Sequence, residues 1–224
     1  MAAPAPGEPR AMATPRVVER TLSNGLRVIV AKSTDLPIMN VQLVMAGGAA
    51  GDPADRPGLA SMTAGLATQG AGDRSAPEIA RTLEALGANI GGGAGADSTT
   101  LFLSAPTASA EAAGAVFADV VQRPTFAEAE VARSRTQAVN GLRVNLRQPG
   151  PLASLVLNRL AFGAAPYGAP ASGTPNSVAA MTRDQIAGFH DRWWRPDSSA
   201  LIITGGMEPE EAFAFAERTL GGWE

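Results

Sequence analysis

The stretch Gly58–Gly70, G-L-A-S-M-T-A-G-L-A-T-Q-G, predicts an amphipathic helix that directly follows a loop rich in Gly, Asp and Pro, Gly47–Pro57. Leu59, Met62 and Leu66 follow the +3 and +4 spacing of a single helix face. We expect these three side chains to anchor the helix to a hydrophobic core.

A second face of this helix carries only small residues. Ser61, Ala64 and Gly65 lie at positions i, i+3 and i+4, so they share that face. Their side chains are a hydroxyl, a methyl group and a hydrogen atom, which makes them unsuitable as zinc ligands or as a general base. We interpret the face as one that lets another element pack closely, in preference to a site of new chemistry.

The elements around this helix predict the fold class. Asn24-Gly25 predicts a two-residue hairpin turn in which both residues have positive φ. The predicted strands are Val17–Thr21, Leu26–Ala31, Met39–Met45, Thr99–Leu103 and Ala200–Thr204. The further predicted helices are Pro77–Leu86, Ser109–Val121, Ala127–Leu146, Gly150–Leu160, Thr182–Trp194 and Pro209–Leu220, with a long ordered loop at Ala164–Asn176. Strands followed by runs of helices indicate an α+β fold, with helices on one face of a largely antiparallel sheet.

Composition excludes several kinds of catalytic site. The chain has 224 residues, one His and no Cys, which rules out three-His, Cys-based and two-His-one-carboxylate zinc sites within it. A Ser-His-Asp triad centred on His190 stays open, although no G-x-S-x-G motif is present. His190 lies beside Phe189, Trp193 and Trp194, so we interpret it as a packed, hydrogen-bonded core residue.

Charge and hydropathy argue against a nucleic-acid partner and against a membrane span. The net charge is −3 and no basic run is present, so nucleic acid is not an expected partner. No apolar run approaches the roughly 20 residues that cross a bilayer, so no membrane span is predicted. Met1–Pro15 is rich in Ala and Pro and lacks the apolar region of a signal peptide, so we predict a flexible leader followed by one domain, Arg16–Glu224.

Several short motifs together carry a family resemblance. They are T-L-S-N-G-L-R-V-I-V (Thr21–Val30), M-A-G-G (Met45–Gly48), P-G-L-A (Pro57–Ala60), P-Y-G-A-P (Pro166–Pro170), S-G-T-P-N-S-V (Ser172–Val178), R-W-W-R-P-D (Arg192–Asp197), G-G-M-E-P-E-E (Gly205–Glu211) and L-G-G-W (Leu220–Trp223). In this order and spacing, the chain resembles the amino-terminal domain of the pitrilysin and mitochondrial-processing-peptidase family of zinc metallopeptidases, the inverted zincins.

The resemblance implies where a zinc site would be. In that family P-G-L-A runs into H-x-x-E-H, where the two His bind zinc and the Glu activates the zinc-bound water. The His positions correspond to Ser61 and Gly65, and the Glu position to Ala64. The third ligand, a Glu, corresponds to Gly141, and a supporting Glu to Ser134. Because every one of these groups is lost, the chain resembles a non-catalytic member. We expect no cofactor here, although active members hold zinc.

The family also implies a peptide-binding strand at the edge of the sheet. In the family this strand holds substrate in extended form by β-augmentation. The corresponding residues here are Asn89, Ile90, Gly91, Gly92 and Gly93. Gly91 and Gly92 replace residues that usually carry side chains. This indicates either close approach of a peptide backbone or, as the preferred interpretation, a flexible edge.

Three functions follow from the resemblance as hypotheses. In the first, the chain is a silent subunit that helps an active zinc peptidase subunit of the same family to enclose and bind a peptide. In the second, it is a zinc endopeptidase domain whose ligands come from another chain. In the third, it is a structural scaffold. Family subunits normally carry two related domains, so we expect the second domain to be absent from this chain. A periplasmic or secreted location is expected, with the cytoplasm as the alternative.

Overall fold

The computed structural model describes residues 14–33 and 35–224, so most of the predicted leader, residues 1–13, lies outside the described part. The strands are β1 Val17–Thr21, β2 Arg27–Lys32, β3 Ile38–Ala46, β4 Gly70–Ala71, β5 Arg74–Ser75, β6 Asn89–Ala94, β7 Ser98–Pro106 and β8 Ser199–Gly205. The helices are α1 Leu59–Ala67, α2 Ala76–Ala85, α3 Ala110–Gln122, α4 Glu128–Asn145, α5 Pro149–Phe162, α6 Pro175–Ala179, α7 Arg183–Trp193 and α8 Pro209–Leu220.

The main sheet has six strands in the order β1-β2-β8-β3-β7-β6. All neighbours are antiparallel except β2 and β8, which pair in parallel from Arg27 opposite Ala200 to Lys32 opposite Gly205. The predicted α+β class with a largely antiparallel sheet is therefore confirmed. The two ends of the sheet are β1 and β6.

One face of the sheet packs on helices α2, α3 and α8. Alternate residues of β3, Met39, Val41 and Leu43, are buried there, whereas Asn40 and Gln42 on the opposite face are exposed. This alternation is the period-two pattern of a sheet with one covered face. A second apolar cluster is enclosed by α1, α4, α6 and α7. Of these helices, α1 contacts both β6 and β7.

The first hairpin differs from the predicted two-residue turn. Leu22 N–H donates to Leu26 O at 2.9 Å across a three-residue connection, and only Gly25 in it has positive φ, +89°. The Asn24 carboxamide accepts a hydrogen bond from Leu26 N–H at 3.2 Å and donates to Leu220 O at 2.8 Å and Trp223 O at 2.9 Å. Trp223 is buried in the main hydrophobic core, so the segment after α8 packs on the domain.

The predicted loop Ala164–Asn176 also holds more structure than expected. It contains a 3₁₀ turn at Pro166–Gly168, and α6 starts inside it at Pro175. Thr174 caps α6 by accepting a hydrogen bond from Ser177 N–H, and proline at the first helical position suits that start. Among the described helices, none has the length and apolar character needed to span a bilayer.

Candidate functional site

The first turn of α1 is fixed by a carboxylate from the preceding loop. Asp52 accepts hydrogen bonds from the backbone N–H groups of Gly58 at 2.6 Å, Leu59 at 3.1 Å and Ala60 at 2.8 Å. These are donors that a helix start leaves without partners. Burial raises the pKa of the Asp52 carboxyl above its ordinary value, and the three N–H groups oppose part of that rise.

The segment before α6 packs directly on this end of α1. Gly58 has φ +96°, and a Cβ atom built on it would lie 2.7 Å from the Cα atom of Gly173. Ser177 Oγ donates to Pro57 O at 2.8 Å. No side chain fits between the two backbones, so glycine is required at both contact positions.

Ser61, which corresponds to the first zinc-binding His of the family, makes a structural contact. Ser61 is half-buried, and its Oγ donates to Ala171 O at 2.8 Å. This hydrogen bond extends the packing between α1 and the segment before α6 by one further turn. The hydroxyl therefore joins two parts of the chain that are far apart in sequence.

The other family positions divide into buried and open ones. Ala64 is fully buried, which agrees with the close-packing interpretation of this helix face. For Gly65 that interpretation is wrong, because the residue is exposed and a Cβ atom there would meet nothing within 4 Å. Gly141 on α4 is likewise exposed, with nothing within 4 Å of a built Cβ atom.

A cleft of about 250 Å³ lies between α1 and α4. Its lining residues are Ser61, Met62, Gly65, Leu66, Gln69, Arg133, Ser134 and Gln137. The structure thus brings Ser61, Gly65 and Ser134 together, as the family resemblance implies. Gly141 lies about two turns farther along α4, and neither it nor the buried Ala64 lines the cleft.

A cationic side chain spans this cleft, which the sequence analysis did not identify. Arg133 on α4 donates to Gln69 Oε1 at 2.7 Å, to Glu130 Oε2 at 2.6 Å and to Gln137 Oε1 at 3.2 Å. Glu130 and Gln137 flank Arg133 at helical spacing, which is the one sequence signal that could have found them. Gln69, beyond the end of α1, gave no such signal.

These side chains do not fit a zinc ion. Zinc in proteins is held by thiolate, imidazole and carboxylate groups, and a catalytic site uses three of them. The cleft offers hydroxyls, carboxamides and a guanidinium, and the Glu130 carboxylate is already paired with Arg133. Residues 14–33 and 35–224 contain no group of three or more His, Cys, Asp or Glu that could hold a metal ion. The absence of a cofactor stays a prediction.

The predicted peptide-binding strand is β6, and it forms one end of the sheet. It pairs antiparallel with β7 from Asn89 opposite Ser104 to Ala94 opposite Thr99, and has no strand on its other side. At its start a groove of about 440 Å³ separates it from α2 and from the end of α1. This groove is lined by Asn89 and Ile90 together with Thr68, Gln69, Ile79 and Leu83, among others.

The glycines of β6 lie under side chains of β7. A Cβ atom on Gly91 would come within 2.5 Å of the Phe102 ring, and one on Gly92 within 2.2 Å of Leu101 Cδ2. Gly93 differs, since nothing lies within 4 Å of a Cβ atom there. Two of the three glycines are therefore needed for cross-strand packing, a reason that the flexible-edge interpretation did not consider.

Two further side chains are His190, which was predicted to be a core residue, and Tyr167. His190 is buried, its Nε2 lies 2.9 Å from Val121 O and its ring packs on Phe126 and Trp194, so its assignment to the core is confirmed. Tyr167 lies in the 3₁₀ turn Pro166–Gly168, and its ring packs on Phe162 with the ring centroids 5.7 Å apart. It is half exposed, and its hydroxyl donates to the carboxylate of Asp97, which raises the pKa of the phenol.

Comparison with protein families decides the classification. The model of the insulinase family, peptidase family M16, matches residues 27–174, and that of the peptidase M16 inactive domain matches residues 180–224. The chain belongs to peptidase family M16. Both the resemblance to this family and the resemblance to its inactive members are confirmed, and pitrilysin-like is the appropriate description of the fold.

Individual M16 relatives agree with this assignment. An uncharacterized zinc protease of Mycobacterium leprae is 25% identical over 96% of this chain and 48% of its own length. The mitochondrial-processing peptidase subunit beta of Lentinula edodes is 22% identical over 88% of this chain and 42% of its own. The crystal structure of a peptidase M16 inactive domain from Pseudomonas fluorescens superposes with a TM-score of 0.89, at 28% identity, over 93% of this chain and 51% of that one. The chain thus spans about half the length of each of these three relatives.

Proposed function

We propose that this M16 domain is catalytically silent and binds an extended peptide for an active zinc peptidase of the same family. The observation that carries the proposal is the contrast within one site. The side chains that would hold and use zinc are missing at Ser61, Ala64, Gly65 and Gly141, while a cleft between α1 and α4 and an edge strand, β6, that contacts α1 are present.

The peptide part of the proposal is supported by β6. A strand at the end of a sheet presents unpaired N–H and C=O groups, to which an extended chain can add as a further strand. Gly91 and Gly92 are covered by Phe102 and Leu101, whereas Gly93 leaves open space on its face of the strand beside a side chain of the incoming peptide. Main-chain hydrogen bonds would then supply most of the affinity, and we expect little dependence on peptide sequence.

The subunit part of the proposal is supported by one relative. The chain covers 42% of that relative, which is named as the beta subunit of the mitochondrial-processing peptidase. A domain without its own metal site could contribute the wall of a peptide chamber and a share of its binding surface. The active partner would supply the zinc and the general base.

Because the chain has no Cys, a single introduced thiol can report on peptide binding. The Gly93→Cys variant carries an environment-sensitive fluorophore on β6, at a position with open space around its Cβ atom. Val17→Cys on β1, the opposite edge of the sheet, is the matched control. Titration with an unstructured 20-residue peptide of mixed sequence should change the signal at position 93, saturably, and leave position 17 unchanged. An equal response at both edges, or none at 93, contradicts peptide binding at β6.

A kinetic measurement tests the partner role. The purified chain is added to an M16 chain from the same genome that carries an intact H-x-x-E-H motif, and cleavage of the same peptide is followed. We expect kcat/KM to rise with added chain until the two are equimolar, because the silent domain completes the binding surface. A scaffold without contact to peptide would leave KM unchanged.

The open cleft at Gly65 favours one second candidate, a peptidase whose ligands come from another chain. Nothing within 4 Å of a Cβ atom at Gly65 or Gly141 obstructs an incoming side chain. Zinc bound between the two chains, beyond the ion that the active partner holds alone, would support this candidate. A zinc content equal to that of the active partner alone would exclude it.

A further inference from the structure

Helix α5 is the least covered helix of the described structure. None of its residues is buried, and its main contact with another element is the 3₁₀ turn Pro166–Gly168. Its exposed side chains are nevertheless largely apolar, with Leu157 65% and Leu160 79% exposed. Exposed apolar surface that is gathered in one place marks an interaction site more often than scattered exposed residues do.

The two sides of α5 differ in what they meet. One side lines a pocket of about 230 Å³ that also borders the end of α4 and the segment before α6, and it does so with Pro151, Ser154, Leu155 and Asn158. The opposite side is turned to solvent and carries Leu152, Val156 and Leu160, which are spaced by four residues, with Leu157 beside them. We call these four residues the α5 row. The row contains no charged and no hydrogen-bonding side chain.

The segment that contains α5 is the basic part of an otherwise acidic chain. From Val131 to Arg183 the sequence has six Arg and no Lys, Asp or Glu. The other 12 of the 18 basic residues, and all 21 acidic ones, lie outside this segment. The segment therefore has a formal charge of +6 and the rest of the chain −9, which together give the net charge of −3. A charge asymmetry of this kind indicates an anionic partner for the basic part.

Three arginines of this segment lie on or close to α5 and are exposed. Arg159 follows Val156 by three residues, so it flanks the α5 row. Arg143 lies in the last turn of α4, and Arg147 lies two residues before α5 begins at Pro149. Within residues 14–33 and 35–224, none of the three makes an ion pair. Their charges are therefore available to a partner.

The composition of this surface favours lipid over protein as the partner. Residues that dominate binding between proteins are mostly Trp, Tyr and Arg, whereas Leu and Val are under-represented among them. Helices that lie on a bilayer bury Leu and other apolar side chains, and nearby Lys and Arg bind the anionic headgroups. A second copy of the chain docked through the same row would bring the arginines against their own equivalents, which disfavours a symmetric dimer.

We propose that the α5 row and the three arginines form a surface that binds an anionic lipid bilayer. Helix α5 has 14 residues and is about 21 Å long, so it would lie in the plane of the bilayer and not cross it. The four side chains of the row would enter the boundary between headgroups and acyl chains, and the arginines would remain beside the phosphate groups. The inference needs neither β6 nor a partner chain, so it is independent of the proposed function.

Binding to vesicles of two compositions tests this surface. The chain should float with vesicles of equal parts phosphatidylglycerol and phosphatidylcholine, bind pure phosphatidylcholine vesicles at least about tenfold more weakly, and lose affinity as salt is raised. Leu157→Glu and Leu160→Glu should each weaken binding to the anionic vesicles about 30-fold, and Arg159→Gln about fivefold. Val17→Glu on β1, where the parent side chain is 61% exposed, is the matched control and should leave binding unchanged.

A labelling experiment tests the orientation of α5. Because the chain has no Cys, Val156→Cys and Asn158→Cys each carry a single fluorophore on opposite sides of the helix. Anionic vesicles whose acyl chains carry a nitroxide quencher should quench the label at position 156 strongly and the label at position 158 weakly. Circular dichroism of each variant checks that it is folded like the parent chain.

Several outcomes would overturn the proposal. They are an absence of binding to the anionic vesicles, equal binding to both vesicle compositions, equal losses in Val17→Glu and Leu160→Glu, and equal quenching at positions 156 and 158. A dimer of the chain alone that Leu160→Glu dissociates would assign the row to a contact between two copies. Failure of peptide binding at β6 would refute the proposed function and leave the lipid surface standing.

Discussion

The two ends of α1 differ in how tightly they are packed. At its start, Asp52 binds three backbone N–H groups and Gly58 touches Gly173 so closely that no Cβ atom fits. Two turns later, Gly65 faces a cleft with nothing within 4 Å of a built Cβ atom. Hydrogen bonds and close packing fix the start of the helix. The cleft beside Gly65, where active family members bind zinc, has no side chain that could bind a metal ion. Within this one helix, the residues that stabilise the fold are therefore present and the residues that would bind zinc are not.

The largest effect is expected at the packed end of α1. Gly58→Ala should destabilise the fold by about 3 kcal/mol, since the new methyl group would lie 2.7 Å from Gly173 Cα and φ is +96°. Urea unfolding followed by circular dichroism measures the change. A loss under about 1 kcal/mol would show that the segment before α6 moves away easily, which would remove the contrast between the two ends.

The cap provided by Asp52 should have the next largest effect. Asp52→Ala leaves three helix-start N–H groups without their acceptor, and we expect a loss of about 2 kcal/mol in the free energy of unfolding. Asp55→Ala removes an exposed carboxylate from the same loop and should change stability by less than about 0.5 kcal/mol. Equal losses of stability in the two variants would mean that the negative charge of the loop stabilises the helix, and that the hydrogen bonds from Asp52 do not.

Ser61 and Ser134 allow a comparison across the cleft itself. Ser61→Ala removes the hydrogen bond to Ala171 O and should cost about 1 kcal/mol. Ser134→Ala removes a hydroxyl that makes no hydrogen bond within the described part of the chain, so its cost should be close to zero. If the order were reversed, Ser61 would not be the structural residue that its contact indicates.

The open positions should give the smallest effects, with the opposite sign. Gly65→Ala and Gly141→Ala place a methyl group in open space on a helix, where alanine is favoured over glycine by about 0.5–1 kcal/mol. Both variants should therefore unfold at slightly higher urea concentration than the parent chain. Destabilisation at either position would show that the small residues are needed for close packing after all.

Most elements of this fold could be predicted from local patterns. Ser75 and Glu78 have the spacing of a capping box at the start of α2, and Gly87 follows its end. The structure contains the capping box, and Gly87 has a positive φ. The parallel pairing of β2 with β8 could not be predicted in this way, because it joins strands that are distant in sequence. The start of α6 was not predicted because it lies in a segment rich in proline and glycine. The hydrogen bonds from the Asn24 side chain to the segment after α8 could not be predicted either, because they join parts of the chain that are distant in sequence.

The candidate site was predictable in position but not in detail. The family resemblance implied that Ser61, Gly65 and Ser134 are neighbours, and the cleft brings them together. Whether a small residue borders a packed neighbour or open space depends on the other helix, and no local pattern encodes it. The bridging role of Arg133 was missed for the same reason, since its partner Gln69 belongs to another element.

Zinc content after equilibrium dialysis tests the central claim most directly. The purified chain is dialysed against excess zinc beside an M16 chain with an intact H-x-x-E-H motif, and bound metal and peptide cleavage are measured on both. We predict one tightly bound ion and cleavage for the intact chain, and neither for this one. One ion per molecule bound near Ser61 and Gly141, with cleavage that a chelator abolishes, would contradict the account.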